Sequence, residues 1–98
     1  MKENVTMLMI TEERKDDLLT FRLAGAIAGD WAHEFERCWN SAKFDAQRVI
    51  VELKEVTFVD DKGKEVLGEM MRNGCLLIAF DVLTKSIVEE IANETFIA

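Results

Sequence analysis

Two adjacent carboxylates, Asp60 and Asp61, are the side chains best placed to do chemistry in this sequence. They follow the apolar residues 56–59 and precede a polar segment that predicts a helix start. Such a pair could act in catalysis or accept a phosphoryl group. Metal-assisted phosphotransfer would need further carboxylates from other strand ends, and the sequence offers no obvious set. The structural alternative is an aspartate that caps the helix, with an acidic residue in its first turn.

The other candidates for chemistry are isolated. His33 is the only histidine, and its predicted place is the solvent side of a helix, without a second histidine or cysteine at metal-ligand spacing. The segment from Gly25 to Gly29 lies between a predicted strand and a predicted helix. It lacks both the lysine of a phosphate-binding loop and the third glycine of a dinucleotide fingerprint. We therefore expect no enzymatic activity, no cofactor and no bound metal.

The two cysteines, Cys38 and Cys75, lie far apart in the sequence, each flanked by apolar residues. This setting favours buried, reduced thiols over a disulfide or a metal pair. The first ten residues lack the basic start, continuous apolar core and cleavage site of a secretory signal. No run approaches the roughly 20 apolar residues needed to cross a bilayer. The expected location is the cytoplasm.

The charge of the chain narrows the class of partner. A formal net charge of −7 on 98 residues repels phosphate backbones and anionic lipid, because both attract clustered lysine and arginine. We therefore expect neither nucleic acid nor a membrane as partner.

Length and hydrophobic pattern predict one domain over residues 1–98. Four strands are predicted, over residues 5–10, 18–23, 48–53 and 75–80. The polar residues 11–17 predict an exposed turn between the first two strands. The last strand is an uninterrupted apolar run, which is typical of a central strand covered on both faces.

Three helices are predicted after the second, third and fourth strands. Asp30 is the expected cap of the first, which runs to about Lys43, and Thr84 is the expected cap of the third. The second starts within residues 60–63 and ends at Asn73 and Gly74. The apolar stripes are Trp31, Phe35, Cys38, Trp39 and Ala42 in the first helix, Val66, Leu67, Met70 and Met71 in the second, and Leu83, Ile87, Val88 and Ile91 in the third. Residues 93–98 are expected to fray or to add a short edge strand.

The order β-β-α-β-α-β-α predicts an α/β fold, with a mostly parallel mixed sheet packed against helices and one antiparallel strand. Residues 49–67 resemble the signature of STAS domains, a family named for sulfate transporters and anti-sigma factor antagonists. That signature is a strand, a loop of the form V-x-F-[IVM]-D-S-[AS]-G and a helix. The residues that match it in register are Val56, Phe58, Val59, Asp60 and Gly63.

Two further segments resemble the same family. Residues 21–25 are similar to its early strand ending in L-x-G, and Leu83-Thr84 is similar to the turn that opens its third helix. The resemblance implies the STAS-like, anti-sigma factor antagonist-like fold, whose element order is the one predicted above. It also implies a bacterial, cytoplasmic signalling module that works by protein binding.

In bacterial anti-sigma factor antagonists of this family, a partner kinase phosphorylates the serine after the motif aspartate, and phosphorylation controls which partner is bound. This chain has Asp61 at that position, Lys62 at the next, and Ala28 where an acidic residue is common. An aspartate cannot accept phosphate from a serine kinase, and its single charge falls short of the about −1.5 to −2 of phosphoserine. The resemblance therefore implies a binding role without the usual switch.

The expected partner-binding residues are Thr57, Asp60, Asp61, Lys62, Gly63 and Lys64. Asp61 would partly cancel the positive end of the second helix and favour a partner surface rich in arginine or lysine. The partner is an anti-sigma factor, a kinase-like protein or another regulatory protein. The alternative function is a small-molecule or nucleotide sensor, since some family members bind nucleotides or lipids. A sheet face bearing Arg48, Ile50 and Glu52 is compatible with a homodimer.

Overall fold

The computed structural model describes residues 7–42 and 48–96. Its elements are β1 Leu8–Lys15, β2 Leu18–Ile27, α1 Gly29–Ala42, β3 Arg48–Val59, α2 Asp61–Arg72, β4 Leu76–Ile78 and α3 Val82–Phe96. The strands form one four-stranded sheet in the order β1-β2-β3-β4. The pair β1/β2 is antiparallel, and the pairs β2/β3 and β3/β4 are parallel. The predicted element order and mixed sheet are confirmed.

The hairpin differs from the prediction, because residues 11–15 are strand and not turn. Lys15 pairs with Leu18, so that the turn is only Asp16 and Asp17, with Asp16 at a φ of 56°. The side chains of β1 from Thr11 onward are exposed. Because residues 11–15 of this edge strand bury no side chain, they do not alternate between apolar and polar residues, and the sequence resembles a polar loop. The predicted strand residues 5 and 6 lie outside the described part.

The core lies between the helices and one face of the sheet. Phe21 of β2 and Phe35 of α1 are fully buried, and their rings meet edge to face with centroids 5.3 Å apart. The predicted stripe of α1 is confirmed, since Trp39 and Ala42 are buried while Trp31 and Cys38 pack against the core. Such aromatic contacts add about 0.5–1.5 kcal/mol to the stabilisation from buried area alone. The predicted helix end at Lys43 lies outside the described residues.

The other sheet face, here called the open face, carries the side chains that alternate with the core residues. Cross-strand register places on it Met9, Thr11, Glu13, Thr20, Arg22, Ala24, Ile50, Glu52, Leu76 and Ile78. Arg22 lies near its centre and forms ion pairs with Glu13 at 2.6 Å and Glu52 at 3.0 Å. Polar and apolar side chains are therefore mixed on this face.

β3 is longer than predicted, because it runs continuously from Arg48 to Val59. Its register with β2 shifts twice, between Arg22 and Ala24 and between Gly25 and Ala26. Lys54 and Glu55 are consecutive exposed residues at the first irregularity. These two residues interrupt the alternation of buried and exposed side chains. The sequence pattern therefore showed residues 48–53 and 56–59 as two separate apolar segments, although they belong to one strand.

β4 corrects a second prediction, because it is a three-residue edge strand and not a central one. Leu77 is buried on the core side, whereas Leu76 is 57% exposed and Phe80 is 48% exposed. Hydrophobicity alone did not distinguish a covered strand from an apolar edge, since both consist of uninterrupted apolar residues.

Two predicted helix caps are wrong. α1 begins at Gly29, which places Asp30 inside its first turn. α3 is capped by Asp81, whose Oδ1 accepts a hydrogen bond from the Thr84 backbone amide at 2.8 Å. The buried Thr84 hydroxyl in turn accepts from the Asp81 amide at 3.1 Å, so that the two residues cap reciprocally.

The apolar stripe of α3 is only partly as predicted. Ile87 and Ile91 are buried and Val88 packs against the core, but Leu83 is 47% exposed. The helix also continues to Phe96, where fraying or an edge strand was predicted. Residues 97 and 98 lie outside the described part. The stripe therefore starts later and the helix ends later than the sequence indicated.

The histidine and one of the two cysteines lie as predicted, whereas Cys38 is only partly buried. His33 is exposed, and Cys38 and Cys75 are both free thiols. Burial raises the pKa of the Cys75 thiol to about 11, which keeps it protonated at neutral pH. Within residues 7–42 and 48–96, no three His, Cys, Asp or Glu side chains cluster in a way that could hold a metal ion. No helix in the same ranges is long and apolar enough to span a membrane.

Candidate functional site

Asp60 lies at the corner where β3 ends and α2 begins, and its carboxylate contacts two helices. Oδ1 accepts a hydrogen bond from the Gly63 amide at 2.7 Å, which caps α2. Oδ2 accepts from the Gly29 amide at 2.9 Å, and Gly29 is the first residue of α1. The Asp60 amide donates to the Ile27 carbonyl at 3.1 Å. One aspartate thus satisfies amides in the first turns of both helices that would otherwise lack an intrahelical partner.

These bonds hold Asp60 in its ionised form. Partial burial by itself would raise the pKa of the carboxyl, but the amides of Gly29 and Gly63 outweigh it and lower the pKa below the ordinary value. Both carboxylate oxygens already have donors. Asp60 is therefore suited to hold the corner together and poorly suited to act as a general base or a phosphate acceptor.

Gly63 is required at this corner because the backbone of β2 comes very close to it. A Cβ atom at this position would lie 2.3 Å from the Ile27 carbonyl oxygen and 2.8 Å from Cγ1 of Val59. No side chain larger than hydrogen fits without moving the backbone. The aspartate and the glycine of the V-x-F-V-D-x-x-G pattern thus act together, because both allow the first turn of α2 to pack against the end of β2.

Asp61 is the first residue of α2, and its side chain is exposed. In the described part of the chain it forms no hydrogen bond and no ion pair. Its charge lies at the positive end of the helix dipole, which favours a carboxylate there. Asp61 therefore presents an available negative charge on a fixed support.

The two lysines that follow are held by neighbouring helices. The Nζ of Lys62 lies 3.2 Å from carboxylate oxygens of both Glu36 in α1 and Glu65 in α2. The Nζ of Lys64 lies 2.8 Å from Glu90 in α3. Hydrogen bonds to these glutamates raise the pKa of both lysines. Their charges are therefore largely matched within the molecule, whereas Asp61 interacts electrostatically with Lys64 but forms no ion pair among the described residues.

A shallow groove between α2 and α3 extends from Asp61. Its lining contains four carboxylates and two cationic side chains: Asp61, Glu65, Glu90, Glu94, Lys64 and Arg72. Gly68 forms part of its floor, where a Cβ atom would lie 2.9 Å from the Thr95 hydroxyl. The groove was not predicted from sequence, because residues that face one another across it are far apart in the chain, such as Lys64 and Glu90 at 26 positions, and only packing brings them together. The surface next to Asp61 has an excess of negative charge.

The six predicted interface residues are close in space but differ in what they offer. Thr57 and Asp61 are exposed, Lys62 and Lys64 are half-buried in ion pairs, and Asp60 is bonded to backbone amides. Gly63 is buried and presents no side chain. The corner thus separates into residues that shape it and residues that a partner could contact.

Phe58 is a further exposed residue at this corner that the predicted interface omitted. Its ring is 53% exposed, although it lies in the sheet opposite the buried Ala26. The sequence signal was present, since the apolar run 56–59 is too short to bury every side chain on a strand that alternates. Aromatic side chains, phenylalanine among them, are enriched in protein interfaces.

The fold is that of a STAS-like domain. An anti-sigma factor antagonist from Mycobacterium paratuberculosis superposes with a TM-score of 0.75 at 16% identity, over 93% of this chain and 84% of that one. The unphosphorylated anti-sigma factor antagonist SpoIIAA superposes with a TM-score of 0.71 at 14% identity, over 84% and 79%. A STAS domain from Rhodobacter sphaeroides gives a TM-score of 0.56 at 16% identity, over 92% and 96%.

No family model and no curated protein matches the sequence. At these identities the structural similarity establishes the architecture, and function must be argued from the site.

Proposed function

We propose that this chain is a non-catalytic regulatory domain that binds another protein through the β3–α2 corner. The observation that carries the proposal is the exposed carboxylate of Asp61, fixed on a helix start that Asp60 and Gly63 hold in place. The similar solved structures include anti-sigma factor antagonists, which supports a regulatory role. In this proposal residues 1–98 act as a single cytoplasmic domain.

The charge of the corner defines the partner's chemistry. Asp61 and the groove carboxylates Glu65 and Glu94 favour a partner with exposed arginine or lysine, since opposite potentials steer association and fix orientation. Phe58, near the end of the strand that leads into this corner, offers an exposed apolar ring. We propose a basic surface on an anti-sigma factor, a kinase-like protein or another regulator as the occupant.

Asp61 also determines how the interaction is regulated. A serine kinase cannot modify an aspartate, and the fixed single charge is smaller than that of a phosphoserine. A serine kinase should therefore not change the charge of this site. Control would then come from the amount of either protein and not from phosphorylation at this position.

Reversing the charge of Asp61 tests the proposal. The variant Asp61→Lys should reduce partner binding about tenfold or more, because one favourable charge contact becomes repulsive. The chain, immobilised as wild type and as the variant, is exposed to a lysate of the native host, and the retained proteins are identified and quantified. The retained protein is then purified and titrated against both forms by calorimetry.

Asp17→Lys is the matched control. It makes the same change of charge in the exposed β1–β2 turn, at the opposite end of the ten-residue strand β2, about 30 Å away. Loss of binding in Asp61→Lys alone supports the corner as the interface. Equal binding by all three proteins, or equal loss in both variants, contradicts it. A ligand-dependent rise in melting temperature with nucleotides, unaffected by Asp61→Lys, would instead favour the sensor alternative.

A further inference from the structure

The two edges of the sheet differ in their protection against pairing with another strand. The outer part of β1 carries four charged side chains in succession, Glu12, Glu13, Arg14 and Lys15. Charged side chains on an edge strand oppose the addition of a further strand. The Glu12–Lys15 half of the β1 edge is therefore protected.

The β4 edge has no such protection. Residues 75–80 contain no charged side chain, and β4 has β3 as its single strand neighbour in the described part of the chain. One side of its backbone is consequently left without a ladder partner. This edge can accept another strand.

Exposed apolar side chains are concentrated beside the same edge. Leu76 is 57% exposed, Phe80 48%, Val82 87% and Leu83 47%. Each of these four side chains leaves about half or more of its surface exposed, and exposed apolar surface of this kind can mark an interaction site. The patch formed by these four residues is separate in sequence from the β3–α2 corner.

We propose that the β4 edge pairs in antiparallel fashion with β4 of a second copy of this chain. With Leu77 at the two-fold axis, Leu76 of each copy lies opposite Ile78 of the other. Both residues are on the open face, where Leu76 aligns with Ile50 and Ile78 aligns with Glu52. Self-pairing thus builds a cross-strand apolar cluster and joins two four-stranded sheets into one.

The charge pattern supports a second copy as the occupant. Residues 75–80 carry no charge, and the charged residues on either side are engaged within the chain, Arg72 with Glu69 and Asp81 with Thr84. Antiparallel alignment of two copies therefore opposes no like charges within β4. A contact built on so few residues predicts a weak dimer, since stable interfaces bury about 800 Å² per partner.

The net charge of −7 on each copy adds a measurable signature. Two copies repel one another over distances that salt screens, so that the dimer should strengthen as salt is added. Hydrophobic contact and backbone pairing in β4 are not weakened by that screening. An association held by surface ion pairs would show the opposite dependence on salt.

Sedimentation velocity of the full chain over a wide range of protein and salt concentrations tests the proposal. Wild type should show a reversible monomer–dimer equilibrium, and Leu76→Lys should raise its dissociation constant at least tenfold, because a charge would lie in the apolar cluster. Met9→Lys is the matched control, because Met9 is 63% exposed on the same face but at the opposite edge of the sheet, on β1. Hydrogen exchange of the amides of residues 76–78 should slow with protein concentration in wild type.

A chain that stays monomeric at near-millimolar concentration and high salt would overturn the proposal. So would a dimer that Leu76→Lys leaves intact or that both lysine variants weaken equally. Because Leu76 is mostly exposed, its replacement should leave the melting temperature nearly unchanged, which the same samples can verify. The dimer does not depend on the proposed partner interface, and Asp61→Lys should dimerise like wild type.

Discussion

Gly63 shows how one small residue determines the geometry of the corner. Its hydrogen points at the Ile27 carbonyl oxygen, where a Cβ atom would come within 2.3 Å. A carbonyl in a strand cannot rotate away, so relief would require a shift of β2 or α2. The motif glycine was identified from sequence, but its reason was not, because the contact joins residues 36 positions apart.

Replacing Gly63 by alanine should destabilise the fold by about 1–3 kcal/mol, through overpacking against backbone. Gly68→Ala is the control in the same helix. Its Cβ atom would meet the Thr95 hydroxyl, a side-chain atom that can turn away, and alanine gains about 1 kcal/mol of helix propensity over glycine. Urea unfolding of the three proteins measures the difference. Equal stability of the two variants would show that the close approach to Ile27 carries no cost.

The assignment of roles to the two adjacent aspartates also needed the structure. The sequence left open which one caps the helix and which one faces outward. The capping distance of 2.7 Å assigns the first role to Asp60, and the exposure of Asp61 leaves the second to it. The bond from Gly29 to Asp60 spans 31 positions and had no local signal at all.

Among the elements, helices were predicted better than strands. The helix stripes repeat every three or four residues whatever lies outside them. Most of the predicted stripe residues of α1 and α2 are buried, although the fully buried Ala32 was missed and Trp31, Cys38 and Met71 are only partly buried. Edge strands lack such a signal. β1 resembled a loop because it is polar, and β4 resembled a central strand because it is apolar. How much of an edge strand is buried depends on the elements that pack next to it, and the sequence of the strand itself does not show which elements those are.

Because Asp60 caps both α1 and α2, replacing its carboxylate by an amide should lower the stability of the fold more than the same change at an exposed aspartate. Asp60→Asn keeps one acceptor oxygen but turns an amide NH₂ group towards a backbone N–H, so that one of the two helices loses its bond. The free energy of unfolding should fall by about 1–2 kcal/mol. Asp61→Asn, the neighbouring exposed control, should change it by less than about 0.5 kcal/mol. Thermal and denaturant unfolding compare the two, and a similar small effect in both would refute the bridging role.

For the molecule as a whole, acid should remove the stabilisation that the caps provide. Backbone amides lower the pKa of Asp60, against a burial effect that raises it, and the Thr84 amide and hydroxyl lower the pKa of Asp81, both relative to an ordinary 3.8. A depressed native pKa means that the unfolded chain takes up these protons first as pH falls. The contribution is therefore complete above pH 3.8 and is lost as pH falls through the lower native values.

The double variant Asp60→Asn, Asp81→Asn should accordingly lose less stability than wild type between pH 5 and pH 2, since its caps no longer titrate. Unfolding in urea across this range gives the slope for each protein. Parallel curves would show that neither aspartate titrates with a depressed native pKa.

The mixed α/β architecture followed from the alternation of strands and helices in the sequence, whereas surface properties did not. The open face, the acidic groove and the unprotected edge all depend on which elements are neighbours in space. A single sequence reports what each segment buries and says little about which segments share a surface.

The double hydrogen bond of Asp60 has a consequence for how this molecule fluctuates. Breaking it frees amides in two helices that are remote in sequence, and the Lys62–Glu36 ion pair also joins these two helices. The beginnings of α1 and α2 should then open and close as one cooperative unit and not fray independently. A ligand that grips this corner would slow exchange with solvent in both helices, including the one that it does not touch.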